Sequence, residues 1–421
     1  MFIILQEKSI QEDHHNAFVE NIGKVLFGQD QKKHIRDILN VSNTNDEDGV
    51  FEKIRKRISE LASEMKSWGV EIPLKWFLFQ QVIEKLKENK VPISTTKNVQ
   101  QMASHKYIGI TDDADFRKCL LYFHDVGTII YYDEEGLNEN VILDPKWLID
   151  AFRCLVSHQI SNETKIGDDW CTLQQTGQIT TSLLGKLLQK KTDYTIDFQG
   201  HKEYLIEVMK KFDIIVSMKD SPFLYMPCMM TDCSLDFVKG NFITATFDKT
   251  SWLCLRFDFL PPVFFNHIIA RYMKVYNVIS AMDKGKGVIK HALYRKIAVF
   301  KLPDSGCKQL ILCQAPNILA VQICFSKAND IKDYSKYRKD LDTFVQNLKS
   351  RYKLHIVYKV ELACKDGDIE LGRTSLCDLN EPEYRCKSHK NNIHSSGELL
   401  DWWYTKDEFV SFNIHATCNR K

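Results

Sequence analysis

Near the C-terminal end, Cys364, Cys377, Cys386, His389 and His394 fall within about thirty residues of one another. Thiolate sulfur and imidazole nitrogen are the donors that hold tetrahedral zinc, and Cys386-Lys387-Ser388-His389 has ligand-like spacing. Zinc fingers usually bring two close pairs, of the C-x2-C and H-x3-H kind. Here the close pairs are Cys386/His389 and His389/His394, and the other cysteines stand alone. Cys377, Cys386, His389 and His394 are the candidates for a metal, set against a default of scattered reduced thiols and surface histidines. The expectation is no bound metal and no cofactor.

Other reactive side chains have plainer readings. His124-Asp125 precedes Gly127, which closes a helix, so the imidazole suits the helix dipole and a capping role suffices. Cys154 and His158 share a helical face, but a nucleophile needs a base and an orienting third group, and Cys154 lies on the apolar stripe. Asp144 before Pro145 reads as a helix N-cap. The stretch MDKGKGVIKH holds G-x-G flanked by lysines, with no third glycine in register, and reads as a β-turn. No catalytic residue is expected.

The elements around these residues belong to a folded, multi-domain chain. Its 421 residues suffice for roughly two to four domains. An apolar share of 44% with 11% aromatics excludes a disordered protein. Lys and Arg number 57 against 55 Asp and Glu, and a net charge of +2 gives no electrostatic bias toward nucleic acid or anionic membrane. No apolar run approaches the roughly 20 residues of a membrane-spanning helix. The opening MFIILQEKSIQEDHH is too short in its apolar run, and too acidic in its flank, for a signal peptide. The 13 cysteines sit largely in apolar segments, as buried thiols of a reducing, cytoplasmic setting do.

Periodicity predicts a strand over 39–41 and a helix over 51–65 that buries Phe51, Ile54, Ile58, Leu61 and Met65. A second helix, 74–88, carries the stripe Leu74, Leu78, Val82, Ile83 and Leu86, and 90–112 reads as a polar loop. Helix 113–125 is capped by Asp112 or Asp113 and stops at Gly127. Strands over 128–132 and 140–143 flank an acidic turn, and Pro145 opens a helix that buries Trp147 and Leu148. A helix–helix–hairpin pattern then recurs up to about 235. From 240 the text turns to strands, with helices over 262–277 and 335–350 and a polar, irregular stretch from 365. Trp76, Trp147, Trp170 and Trp252 are expected in cores. Of Trp402 and Trp403, one is expected to be exposed as a contact surface. The fold class is α+β: tandem winged-helix-like units followed by a mixed α/β domain with a mostly antiparallel sheet.

LYFHDVGTIIYYDEEGLNENVILDPKWLIDAF (121–152) resembles the signature of the C-terminal-of-Roc (COR) domain of Roco proteins, which couple COR to a Ras-like GTPase domain, Roc. GQITTSLLGKLL, YLIEVMKKFDIIV, FLYMPCMM and LPPVFFNHIIARYM follow in the family's order, so that the resemblance covers about 70–280. Gly127, Leu143, Asp144, Pro145, Trp147, Leu148, Pro261 and Pro262 carry the structural signature. Upstream, HIRDILNVSNTNDEDGVFEKIRKRISELA looks like the last strand and helix of a Roc domain, with Ser42, Asn43 and Thr44 where small GTPases place the loop that touches the guanine base. No G-x-x-x-x-G-K-[ST] loop cradles a phosphate, and that remnant loop is not expected to suffice for nucleotide.

The resemblance implies a Roc remnant over 1–66, a winged-helix-like first half of COR over 67–238, an α+β dimerisation part over 239–364, and an irregular extension over 365–421. It implies a non-catalytic regulatory and scaffold module that contacts a Roc-type GTPase domain in cis or trans and forms a homodimer, with no nucleic-acid partner and no membrane-spanning segment. One alternative is the truncated C-terminal half of a GTP-binding signalling regulator. Another, a winged-helix DNA-binding regulator, meets an obstacle in Asp133, Glu134 and Glu135, which would repel phosphates from the turn.

Overall fold

Two short runs near the N-terminus, β1 (Phe2–Leu5) and β2 (Asp37–Asn40), pair in parallel with Ile3 opposite Ile38. The computed structural model describes residues 2–5, 20, 35–41, 46–66, 68–156, 167–189, 194, 196–282, 289–303, 308–326, 334–352, 356–390, 392–405 and 408. Ser42, Asn43, Thr44, His158 and most of the glycine–lysine turn at 283–288 lie outside them. The chain divides into two compact units, Met1–Phe77 and Leu78–Lys421.

In the first unit, helix α1 (Asp48–Ser63) follows the strand pair, and Arg57 donates to Asp37 on β2 at 3.0 Å. The sequence predicts a buried stripe on this helix, yet none of its residues is buried. Ile58 is 41% exposed and Met65, just beyond the helix, 60%. Among the described residues, two four-residue strands give a 16-residue helix too narrow a floor to cover its apolar face.

Helix α2 (Leu74–Glu88) buries Phe79 and Ile83, one turn apart, while Leu74 and Leu78 stay exposed, so the expected stripe is displaced around the helix. The polar stretch 90–112 is not a loop. It forms β3 (Ile93–Thr95) and α3 (Thr96–Ala103), whose N-cap Thr95 accepts from the Asn98 N–H at 3.3 Å. Helix α4 (Asp113–Asp125) has the predicted bounds. The Asp112 side chain accepts from the Asp115 N–H at 2.8 Å, and Gly127 (φ 79°) ends the helix in the left-handed region. Strands β4 (Ile130–Tyr131) and β5 (Asn140–Ile142) complete a three-stranded sheet in the order β3-β5-β4. Helix α5 (Pro145–Val156) then starts at Pro145, and Asp144 accepts from the Lys146 N–H at 2.9 Å.

The same order recurs. Helix α6 (Gly167–Thr176), β6 (Gln178–Ile179), α7 (Thr181–Leu187), α8 (Lys202–Lys211), β7 (Val216–Ser217) and β8 (Leu224–Tyr225) form a second unit with sheet order β6-β8-β7. Each repeat is thus helix, strand, two helices, hairpin, and the strand that follows the first helix pairs with the hairpin's second strand. Trp147 of α5 lies in one core with Ile93 and Ile142 of the first repeat and Leu183 and Leu205 of the second.

Gly177 joins α6 to β6 at φ 73°, where a Cβ would meet Met230 Cγ at 2.7 Å and the Met226 carbonyl oxygen at 3.0 Å. Backbone strain and overlap act together, so Gly177→Ala should lose about 3 kcal/mol of stability. Chemical unfolding followed by circular dichroism checks this, and a loss near zero refutes it.

The second half begins with α9 (Leu235–Phe242) and β9 (Asp248–Lys249). Then come β10 (Trp252–Phe257), α10 (Pro262–Val275), β11 (Asn277–Val278), β12 (Ser280–Met282) and β13 (Ile289–His291). Strands β14 (Ile297–Lys301), β15 (Gln309–Ala315) and β16 (Ile318–Phe325) follow, then α11 (Ser335–Arg351), β17 (Tyr358–Ala363) and β18 (Arg373–Ser375). The eight-stranded sheet runs β11-β14-β15-β16-β10-β17-β18 with β9 beside β16, and every pairing in it is antiparallel. Pro262 stands at the first position of α10 behind Pro261, where a missing N–H is harmless.

Both faces of the sheet are covered. Helices α10 and α11 pack Phe264, Ile268 and Leu341 against Leu255, Leu312 and Val321, while α9 packs Val238 and Phe242 on the face that carries Cys254, Val299 and Cys313. This accounts for ILAVQICF, an uninterrupted run in which all eight residues of β16 are buried.

The stretch from 365, expected to be irregular, belongs to this domain. Besides β18 it supplies β19 (Glu383–Cys386), β20 (Asn392–Ser395) and α12 (Gly397–Leu400), and Leu376, Tyr384, Leu399 and Trp403 join the core under α10 and α11. Neither tryptophan of the 402–403 pair is exposed. Trp403 is fully buried and donates from Nε1 to Ser251 Oγ at 2.9 Å, and Trp402 is half-buried against Phe325 and Tyr334. Trp147, Trp170 and Trp252 are buried as expected, and Trp76 is half-covered. Among the described residues, no helix is long and apolar enough to cross a membrane.

Candidate functional site

The signature residues are mainly architectural. Leu143, Trp147 and Leu148 are buried, Trp147 with its ring 5.4 Å from Phe198 and edge-on to His201 at 6.0 Å. Gly127, Asp144, Pro145, Pro261 and Pro262 shape helix ends. Among the described residues, none of them meets a second reactive group in the arrangement a catalyst needs.

The residues that converge at a surface are charged, and the sequence pattern does not announce them. Asp213 follows α8 in a left-handed turn (φ 55°), which an Asp tolerates better than most residues. Its carboxylate is 8% exposed, 3.0 Å from His267 Nδ1 and 2.8 Å from Lys274 Nζ on α10. Arg351 at the end of α11 lies 3.9 Å away and donates to the Lys211 carbonyl. Burial alone would raise the Asp213 carboxyl, but the hydrogen bonds from His267 and Lys274 outweigh it and hold the group below the usual carboxylate range. The acidic turn joins the network: Glu134 pairs with Lys211, whose ammonium also sits 4.9 Å from the Tyr132 ring, and Asp133 pairs with Arg117.

A charged cleft lined by Glu134, Glu135, Lys210, Lys211, Asp213 and Arg351 therefore lies where both repeats meet the second half. Asp213 is paired there to Lys274 and Arg351, Lys211 to Glu134 and Lys210 to Glu207, so ion pairs tie segments of both repeats to the second half. The contributing residues are scattered from 117 to 351, and each sits in a segment whose local pattern reads as an ordinary helix or turn.

Of the metal candidates, the structure brings Cys386 and His389 together with Cys364, and their ligand atoms all lie within 4.8 Å of one another. Cys377 falls outside that group, and His394 stacks face-to-face on His389 with centroids 5.2 Å apart instead of converging with it. Cys154 is buried, and burial pushes the thiols of Cys254, Cys313 and Cys324 up, the last two to about 12 and about 11. His124 receives the Tyr131 N–H at 3.4 Å, a local structural role.

The family "C-terminal of Roc, COR-A domain" matches residues 73–230. In Dictyostelium discoideum, the probable serine/threonine-protein kinase pats1 is 24% identical over 106 residues, which is 25% of this chain and 3% of that protein. The probable serine/threonine-protein kinase roco6 of the same organism is 26% identical over 205 residues, 48% of this chain and 9% of that protein. The chain thus spans less than a tenth of the length of either relative. Among solved structures, Roco2 RocCORdC of Methanosarcina barkeri bound to GDP aligns with a TM-score of 0.38 at 19% identity, covering 54% of this chain and 63% of that one.

Proposed function

Because residues 73–230 are the COR-A domain of a Roco-type protein, we propose that this chain is a non-catalytic regulatory and scaffold module, which contacts a Roc-type GTPase domain in cis or in trans and pairs with a second copy of itself. The family match over 73–230 carries the reading, and three features support its parts.

The parallel pair β1–β2 and the uncovered stripe of α1 support reading 1–66 as part of a Roc-type domain, whose parallel strands are backed by helices. The helix–strand–helix–helix–hairpin order of both repeats supports a winged-helix-like reading of 67–238. In that reading α4, just ahead of the hairpin, stands in the position of a recognition helix. Its exposed Arg117 is already paired to Asp133, which favours a protein partner over a phosphate backbone. The buried, high-pKa thiols of Cys254, Cys313 and Cys324 support a cytoplasmic setting.

Self-association finds support in the second half. Phe259, Val263 and Val357 are 65%, 55% and 61% exposed at one end of the sheet, where the Asp258 N–H bonds to the Val357 carbonyl at 3.2 Å. Sedimentation equilibrium should give a particle of twice 49.1 kDa, and Phe259→Glu with Val357→Glu should weaken the pairing by at least roughly tenfold, about 1.4 kcal/mol. A strictly monomeric chain at all concentrations removes the dimer role and leaves docking to a GTPase domain.

A further inference from the structure

Cys364 leaves the end of β17, and Cys386 ends β19 one turn before His389. The 3-10 turn Lys387–His389, closed by Lys390 in the left-handed region (φ 52°), carries the imidazole back toward the sulfur of its own hairpin. His389 Nδ1 then lies 3.4 Å from Cys386 Sγ and 3.5 Å from Cys364 Sγ. Tetrahedral zinc, with Zn–S near 2.3 Å and Zn–N near 2.0–2.1 Å, sets its sulfur and nitrogen ligands roughly 3.5 Å apart. The observed separations match that spacing.

Hydrogen bonding alone accounts poorly for this cluster. A neutral imidazole offers a single acceptor nitrogen, and two thiols point at the same one. Both sulfurs are buried, Cys386 fully, so with a proton on each the second S–H is left to the other sulfur, a weak acceptor. A single cation replaces both protons and uses all three donor atoms. The surroundings are those of ligands: the Asp366 backbone N–H is directed at the Cys364 sulfur, and His394, itself near Glu398 at 3.9 Å, stacks on His389 and fixes its plane. Two thiolates and an imidazole are a borderline-soft set that suits zinc better than calcium or magnesium.

We infer that Cys364, Cys386 and His389 form a zinc site that clamps β17 to the β19–β20 hairpin, with the fourth position facing the cleft lined by Asp366 and His394. Binding exchanges two thiol protons for one Zn2+, and the protons go to solvent. The clamp holds the stretch beyond 365 onto the sheet by a local bond that the COR-A match, ending at 230, does not cover.

The test uses the full chain, purified without chelator, with metal counted by elemental mass spectrometry. About one zinc per chain is expected, falling at least roughly tenfold in Cys386→Ser and His389→Gln and unchanged in Cys377→Ser, which lies outside the cluster. Circular dichroism melts show whether each variant is folded. Cobalt added to the stripped chain provides a readout independent of variant folding, since thiolate ligation gives a sulfur-to-cobalt charge-transfer band. An intact chain that takes up neither zinc nor cobalt overturns the site, as does zinc content that Cys386→Ser and His389→Gln leave unchanged. A Cys364–Cys386 disulfide in reduced-buffer preparations overturns it as well.

Discussion

Trp147→Ala should cost about 3–5 kcal/mol, enough to unfold the first half of a domain whose total stability is of order 5–15 kcal/mol. The indole is fully buried and stands between the two repeats, so its removal opens a cavity in the core they share. Its Nε1 finds no hydrogen-bond partner among the described residues. Trp147→Phe therefore gives up volume without orphaning a polar atom and should cost about half as much or less. Urea unfolding followed by circular dichroism separates the two variants. A Trp147→Ala loss under about 1 kcal/mol would show that the repeats do not depend on this core.

The second large effect is expected at Asp213. Asp213→Asn keeps the shape of the side chain and removes the charge that His267 and Lys274 face, and it should lower stability by about 2–4 kcal/mol. Most of that comes from the buried contact with His267, because Lys274 and Arg351 are 44% and 43% exposed and solvent screens them. The direction with pH follows from the lowered carboxyl. A group held below its ordinary 3.8 adds stability that is fully present above that value and is lost as pH falls through the folded pKa. The gap between native chain and variant should stay constant from neutral pH down to about 5 and narrow in stronger acid. A gap that widens in acid would refute the assignment.

How far these features can be read ahead depends on whether their cause is local. Helix α4 is legible to the residue because its signals lie within it and beside it: Asp112 to cap, Phe116, Leu120 and Phe123 at helical spacing, Gly127 to stop. Strand β3 and helix α3 are not, since three and eight residues in a polar context are too short for a period to show. The apolar stripe of α1 is visible as a pattern, but whether it is covered depends on how wide a strand floor lies beside it, which the helix's own residues do not report. At the C-terminus, Cys386 and His389 are legible as a pair by their spacing. Cys364 joins them through the strand it follows, which no spacing rule reports. Asp213, His267, Lys274 and Arg351 come together through the packing of three helices, and each alone reads as ordinary polar text.

The eight-stranded sheet ends on one side at β11, two residues long, and on the other at β18, three residues long. An incoming peptide needs a row of free backbone donors and acceptors to add itself as a further strand, and edges this short present almost none. The long strands β15 and β16 are the ones able to template fibre growth, and both lie in the middle with partners on each side. Among the described residues, the sheet's short edge strands therefore disfavour edge-to-edge polymerisation, and assembly through side chains is the easier route.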